Sequence, residues 1–365
     1  MEAINLEILI NALKGQGLPS VATLAKGEIC TSPVAARALF AQCPAAAVTP
    51  LHHLPDLASR TNVAEIYIKD ERERMGLGSF KSLGAAFAIA KAAEKVLIDH
   101  PDTAVNSALS GRVFACASAG NHGLSMAAGA AVFGAKAVVF LAETVPAEFA
   151  ARLKAKGATV VREGENYEAS MAAAKSAATK NEWQLLSDSS WVDYTEMPRD
   201  VMEGYLIMGA EVATQLPASP THIFLQAGVG GLAAASAAAA RYYWGAKPKI
   251  FVVEPAFAPA LFASINAKQA VATQGPVSAM GRLDCKEPSH LALKYLAREA
   301  DGFITISEAE AQKAVELLDA AGLPASPSAV AGFAGFLEAG PARDDLGLNS
   351  SSRVLFYLSE GPVDA

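Results

Sequence analysis

The sequence predicts an α/β protein of two lobes, each built on a parallel or mixed sheet. Three observations predict it. The chain has 365 residues, 52% hydrophobic and 18% charged, and single cores divide beyond roughly 250–300 residues. Short apolar runs alternate with helical stretches, a spacing that implies βαβ crossovers and parallel pairing. That alternation occurs twice, once from Arg112 and again from His222.

In chain order, the segment Leu51–Lys91 comes first, with a strand at Ile66–Lys69, a turn at Met75–Ser79 and a helix starting near Phe80. The polar stretch 97–110 reads as a surface loop. The first series then runs Val113–Ala117, Gly123–Phe133, Ala137–Leu141, Ala147–Lys156, Thr159–Val161, Tyr167–Thr179 and Trp183–Leu186, strand and helix in turn. The second opens with the strand His222–Gln226, a glycine-rich turn and an Ala-rich helix over 233–242. Strands at Ile250–Val253, Gly302–Ile306 and Val354–Leu358 complete a second parallel sheet.

The net charge of -7 is spread without a Lys/Arg block, so no electrostatic footprint for nucleic acid is present. Cys30, Cys43, Cys116 and Cys285 stand far apart, with neither CxxC nor His/Cys ligand spacing. This argues against a disulfide framework and against a metal site, and suits a reducing cytoplasm. Residues 1–20 lack a basic stretch followed by an apolar one, and no apolar run reaches the roughly 18–20 residues that span a bilayer. The expected partners are small molecules or further copies of the chain.

Four segments carry candidate chemistry. In Gly76-Leu77-Gly78-Ser79-Phe80-Lys81, a lysine opens an apolar helix, where desolvation is expected to lower its pKa and leave a nucleophilic amine. The other reading is a solvated surface charge. Ser118-Ala119-Gly120-Asn121-His122-Gly123 joins a strand to a helix, so its N–H groups suit a carboxylate or phosphate, or else Ser118 or Asn121 simply caps the helix. Gly228-Val229-Gly230-Gly231-Leu232 follows a strand and opens a helix. Lacking both GxGxxG and GK[ST], it suits one phosphomonoester, or serves only close packing. Ser359 ends an apolar strand, where a hydroxyl can face a heteroaromatic nitrogen or merely close a Ser-Glu-Gly turn.

Taken together and in this order, these segments resemble the fold-type II pyridoxal 5'-phosphate (PLP) enzymes, the threonine and serine dehydratase group with the tryptophan synthase β-like architecture. The likeness spans nearly the whole chain. Within the group the motifs are most similar to the diaminopropionate ammonia-lyases. That narrower likeness rests on Lys69-Asp70-Glu71, Ser187-Asp188 with Ser190-Trp191 and Tyr194, and Met280 with Cys285 and Glu287-Pro288. The resemblance implies that Lys81 binds the cofactor as a Schiff base and that Asn121 hydrogen-bonds its phenolic oxygen. Gly228, Val229, Gly230, Gly231 and Leu232 would hold the phosphate, and Ser359 would face the pyridine nitrogen. It further implies Lys81 and Asp188 as acid/base groups, substrate carboxylate binding at Ser118, Ala119, Gly120 and His122, and a homodimer. A large domain of residues 1–84 plus 206–365 and a small one of 85–205 follow from it. Asp188 has a second reading, as a turn or N-cap aspartate.

The chain departs from the ammonia-lyase pattern in three places. Ala119 stands where that family has an acidic residue, which implies weak or absent activity on the D-isomer. Arg282-Leu283-Asp284 replaces smaller uncharged residues, placing a cation where an anionic substrate group can meet it, unless Arg282 pairs with Asp284 or solvent. Ser326-Pro327-Ser328 replaces a Glu-containing stretch. The expected reaction is α,β-elimination from 2,3-diaminopropionate to pyruvate and ammonia. The alternatives are a serine, threonine or hydroxyaspartate dehydratase, elimination from another anionic β-substituted amino acid, and a non-catalytic amino-acid sensor of the same fold.

Overall fold

Eleven strands form two sheets in the computed structural model, which describes residues 7–118 and 120–362. They are β1 (Glu7–Ile10), β2 (Leu51–His53), β3 (Glu65–Asp70), β4 (Val113–Ala117), β5 (Lys136–Leu141), β6 (Thr159–Arg162), β7 (Gln184–Leu185), β8 (His222–Gln226), β9 (Lys249–Pro255), β10 (Gly302–Ile306) and β11 (Arg353–Leu358). The larger sheet has the order β1-β10-β9-β8-β11-β3-β2 and the smaller β6-β5-β4-β7. Neighbours in the smaller sheet are all parallel. The larger sheet is parallel through its centre, but β1 runs antiparallel to β10 and β2 antiparallel to β3. It is therefore mixed rather than purely parallel, because two short strands close its edges.

The central strands β8 and β10 are buried along their whole length, as expected of parallel strands covered on both faces and read as unbroken apolar runs. The helix Pro327–Glu338 covers one face, where Phe333 and Phe336 pack with Phe224 and Phe356. On the other face lies the helix Gly231–Trp244, whose Ala233–Ala235 and Ala237–Ala240 present little side-chain bulk and are all buried. It packs beside the helix Glu196–Gln215, and one apolar cluster takes in residues of both sheets, among them Phe114, Val139, Ile223 and Leu355.

The expected helix near Phe80 begins as a 3₁₀ turn, Phe80–Leu83, and continues as the α-helix Gly84–Asp99. Its end at Asp99 shortens the loop anticipated over 97–110. This turn lies against Glu196–Gln215 so closely that a Cβ on Gly204 would stand 2.1 Å from the Leu83 carbonyl oxygen. Only glycine permits the approach.

The strand β3 ends in Lys69-Asp70-Glu71, and its charges are absorbed by partners. Arg74, fully buried, donates to Glu71 and to Glu211 at 2.7 Å each, and Lys69 Nζ lies 2.6 Å from Glu211. Two cations thus face two carboxylates and clamp the end of β3 to the helix Glu196–Gln215. Buried charges persist only when paired in this way.

Candidate active site

In the larger sheet β11 lies between β3 and β8. All three run parallel, so the segments leaving their carboxyl ends emerge side by side. Those segments are the Lys81 turn after β3, Ser359 after β11 and the Gly228–Leu232 loop after β8. Ligands of open α/β sheets sit at this edge. In the smaller sheet, β4 leads to Ser118–His122 and its neighbour β7 leads to Asp188. Contacts between Lys81 and Asp188, and between Asn121 and Glu360, join the two edges.

The turn before Lys81 places Met75, Gly76 and Gly78 at positive φ, and the Ser79 hydroxyl accepts from Lys81 N–H at 3.3 Å. The Lys81 ammonium is salt-bridged and hydrogen-bonded to Asp188. Burial depresses its pKa, but the Asp188 carboxylate, helped by Tyr205 and Cys285, more than offsets burial and holds the ammonium above the ordinary lysine range. The expected lowering is therefore corrected. Desolvation is present as anticipated, yet it acts on a lysine whose anion stands 107 positions away in the sequence. The same burial favours the acid form of Asp188, and Lys81 with His122 outweighs it, holding the carboxyl well below the usual range.

Asp188 is fixed by its loop rather than by a helix cap. Ser190 Oγ lies 2.7 Å from Ser289 Oγ and accepts from Leu291 N–H at 2.9 Å, tying the loop to the start of the helix His290–Glu299. Tyr194 Oη accepts from Ser187 N–H at 2.9 Å, and Trp191 stacks on Tyr194 at 4.2 Å. Lys175 stands over the Trp191 ring at 3.6 Å.

The glycine loop is roofed by residues 282–285. A Cβ on Gly228 would lie 3.0 Å from Cys285 Sγ and 3.2 Å from the Arg282 carbonyl oxygen. Gly230 has φ of +100°, and a Cβ there would lie 3.1 Å from both Ala292 and Leu261. Gly231 is less crowded, with Met202 as the nearest neighbour at 3.6 Å. The Val229 carbonyl accepts from Ser289 N–H at 2.9 Å. Leu232 is buried in the first turn of the following helix, and Ser359 is buried, its carbonyl accepting from Phe80 N–H at 3.0 Å.

At the end of β4, the Ser118 hydroxyl accepts from Gly120 N–H at 3.2 Å and Gly123 N–H at 3.1 Å. The N-cap is Gly120, without a side-chain cap, and Ser118, two residues before it, satisfies one first-turn N–H, so two N–H groups expected to face an anion are already engaged. His122 is buried with Nε2 2.8 Å from the Leu186 carbonyl oxygen, and burial keeps its imidazole pKa below the usual value. Ala119 lies outside the described residues.

Asn121 Nδ2 donates to Glu360 Oε2 at 2.7 Å. Ser326 Oγ donates to Glu360 Oε1 at 2.6 Å, and Arg282 Nε lies 2.8 Å from Glu360 Oε2. The expected partners of Arg282 are thus corrected: Asp284 pairs instead with Lys286 at 2.6 Å, and Arg282 meets Glu360. The Ser326 substitution also finds an account, since a carboxylate still stands beside it, reaching in from the end of β11. Sequence reading passed over Glu360 as part of a turn, although its place directly after Ser359 at a strand's carboxyl end was a usable signal. Tyr205 gave no such signal, and Cys285 entered only as part of the motif with Met280 and Glu287-Pro288. Each is fixed near Lys81 by packing, and burial pushes both hydroxyl and thiol above their ordinary pKa.

Comparison with known proteins agrees with this geometry. A family model for pyridoxal-phosphate dependent enzymes matches residues 43–360. The diaminopropionate ammonia-lyase of Salmonella typhimurium is 29% identical over 357 residues, which cover 89% of this chain and 87% of that protein. The crystal structure of Escherichia coli diaminopropionate ammonia-lyase in complex with D-serine superposes with a TM-score of 0.86 at 25% identity, covering 98% of this chain and 94% of that one. The same enzyme in complex with an aminoacrylate-PLP azomethine reaction intermediate gives 0.84 at 26% identity. The two-sheet architecture is that of the fold-type II enzymes, and the chain belongs to the pyridoxal-phosphate dependent enzyme family.

Proposed function

We propose that this chain uses pyridoxal 5'-phosphate to eliminate the β-substituent of a small amino acid, 2,3-diaminopropionate foremost and its L-isomer in preference, giving pyruvate and ammonia. The observation that carries the reading is the Lys81–Asp188 pair, set one strand away from a glycine loop.

The residues present fit the cofactor. Lys81 offers an amine, and Gly228 and Gly230, where a Cβ would crowd Cys285, Ala292 and Leu261, let the loop's backbone run close beneath its roof at a helix N-terminus. Tyr205 Oη and His122 Nδ1 are buried without a hydrogen-bond partner among the described residues, polar groups that a ligand would satisfy. On this reading Lys81 Nζ would hold the cofactor at its aldehyde carbon, and the loop Gly228, Val229, Gly230, Gly231 and Leu232 would hold the phosphate at a helix N-terminus. Asn121 would donate to the phenolic oxygen and Ser359 would face the pyridine nitrogen. Bound there, the cofactor supplies an electron sink for charge developing at the substrate Cα.

The chain's own groups divide the remaining work. Lys81 Nζ takes the Cα proton once its amine is free, and Asp188 holds that proton at Nζ. The turn of Ser118, Ala119, Gly120 and His122 would receive the substrate carboxylate through the N–H groups that Ser118 does not engage, while Arg282, paired with Glu360, would offer the β-substituent no unpaired cation. A neutral hydroxyl such as that of Ser359 does not stabilise a protonated ring nitrogen as a carboxylate does, which suits prompt loss of the leaving group. The released 2-aminoacrylate hydrolyses to pyruvate and a second ammonia.

The four cysteines are free and no helix among the described residues is long and apolar enough to cross a membrane. The free thiols suit the further proposal of a reducing cytoplasm, and the proposal of a homodimer rests on the likeness to the fold-type II enzymes alone. The test is to measure pyruvate and ammonia from L- and D-2,3-diaminopropionate, L-serine, L-threonine and 3-hydroxyaspartate. Two ammonia per pyruvate from the L-diamine, with little from the D-isomer, is the expected result. One ammonia per pyruvate from a hydroxylated substrate and none from the diamine would make the chain a dehydratase. Cofactor binding with no turnover of any would make it a sensor.

A further inference from the structure

The Glu360 carboxylate joins three segments that are far apart in sequence. It accepts from Asn121 Nδ2 at 2.7 Å across 239 positions and from Ser326 Oγ at 2.6 Å, and it pairs with Arg282 Nε at 2.8 Å. A backbone bridge between Ser79 and Glu360 ties it to the Lys81 turn as well. Glu360 is 5% exposed, while the Arg282 side chain is 26% exposed. Burial raises the Glu360 carboxyl pKa, opposed first by Arg282, then by Ser326 and by the Lys81 ammonium. Lys81 and Glu360 are therefore within electrostatic reach.

An asparagine amide presents a donor end and an acceptor end of the same shape, and its surroundings choose between them. Asn121 opens a helix in whose first turn Ser118 satisfies the Gly123 N–H, which leaves the amide orientation open. A carboxylate accepts only, so Glu360 selects Nδ2. One of the two Nδ2 hydrogens is then spent on Glu360, and the second stays available as a donor. The flipped amide would set Oδ1 against the carboxylate and present an acceptor to the ligand's oxygen. Glu360 also neutralises a guanidinium that would otherwise stand beside the site.

Resting on the cofactor reading above, we propose that Glu360 is a positioning residue. It holds Asn121 with its donor towards the cofactor's phenolic oxygen, and with Arg282 it forms a neutral pair that sets the charge around the Lys81 nitrogen. Other groups facing that nitrogen are Asp188 from the loop after β7, Tyr205 from the helix Glu196–Gln215, Cys285 from the roof of the glycine loop, Cys116 from β4 and His122 from the helix after it, whose imidazole burial holds below its usual pKa. None of these changes when the pair is altered.

The test is a pH titration of the visible absorption of the cofactor-loaded protein, for wild type, Glu360→Gln and the double variant Glu360→Gln/Arg282→Gln. Glutamine keeps an acceptor for Asn121 but leaves Arg282 unpaired. The added positive charge disfavours protonation of the nitrogen joining Lys81 to the cofactor, so the spectral midpoint falls by roughly one pH unit. The double variant removes the charge and returns the midpoint to the wild-type value. Should Glu360→Gln fail to fold, Arg282→Gln alone carries the test, with a shift of the opposite sign. A visible band whose midpoint is unmoved in Glu360→Gln, or not restored in the double variant, overturns the inference alone. Absence of any band in the wild type overturns the cofactor reading and this inference with it.

Discussion

Replacing Asp188 with asparagine isolates the charge that governs Lys81. The two side chains are 22% and 16% exposed, so the pair is only partly screened. An opposite charge at contact distance moves a pKa by about 1–3 units. At the ordinary lysine pKa of about 10.4, roughly 0.4% of the amine is unprotonated at pH 8. With Asp188 in place the free fraction is smaller still, because the ammonium is held above that range. With asparagine, the chief opposition to burial is removed, the pKa falls, and the free fraction rises about tenfold for each unit of the fall. Trace acetylation of Lys81 in the cofactor-free protein, read by mass spectrometry of its peptide across pH 6–10, should therefore speed up on the order of 100-fold at pH 8.

Stability should change in a defined pH window. Lys81 has a raised folded pKa, so its contribution is complete below about pH 10.4 and is lost as pH rises through the folded value. Asp188 has a lowered one, so its contribution is complete above about pH 3.9 and is lost as pH falls through the folded value. Across the neutral range the pair's contribution is flat. Asp188→Asn should remove about 1–3 kcal/mol there, below the roughly 3–5 kcal/mol of a fully buried pair because water reaches both groups. An unchanged labelling midpoint at Lys81 would refute the assignment of its charge state to Asp188.

Three further outcomes follow from geometry elsewhere. Gly228→Ala and Gly230→Ala should each weaken cofactor binding measurably in equilibrium titrations, by about 1–3 kcal/mol through crowding, while Gly231→Ala, with 3.6 Å to its nearest neighbour, should stay close to wild type. Arg74→Ala should cost about 3–5 kcal/mol in urea denaturation, because it strands the buried carboxylate of Glu71 and leaves Glu211 to Lys69 alone. Glu254 is fully buried, with a carboxyl pushed up to about 8 by burial against two backbone N–H donors, Leu261 and Phe262. The folded state therefore binds the extra proton, so this group's contribution to stability falls as pH rises from about 4.3 to 8. Denaturation midpoints of Glu254→Gln should lack that slope.

What the sequence revealed of the fold follows from burial. Strands β4, β8 and β10 coincide with their apolar runs because both faces are covered and the runs are bounded by polar or glycine residues. Strands β1 and β2 escaped reading. Each is short and carries polar residues, and each owes its extended form to an antiparallel partner, β10 or β3. The helix Glu196–Gln215 also left no amphipathic trace. It buries Asp200, Glu203 and Glu211, whose charges are met by Lys91, Arg74 and Lys69 from other elements. At the site, local motifs located Lys81, Asn121, the glycine loop and Ser359. The charge relations among them stayed hidden, since Lys81 meets Asp188 across 107 positions and Asn121 meets Glu360 across 239. For that reason an apolar setting alone suggested the wrong direction for the Lys81 pKa.

The central claim, that Lys81 carries pyridoxal 5'-phosphate, is tested most directly by reducing the loaded protein with borohydride and mapping its peptides. A single phosphopyridoxyl adduct is expected, on the peptide containing Lys81, and it is lost in Lys81→Ala. An adduct on another lysine, such as Lys69, or stoichiometric cofactor with no adduct at all, would contradict it.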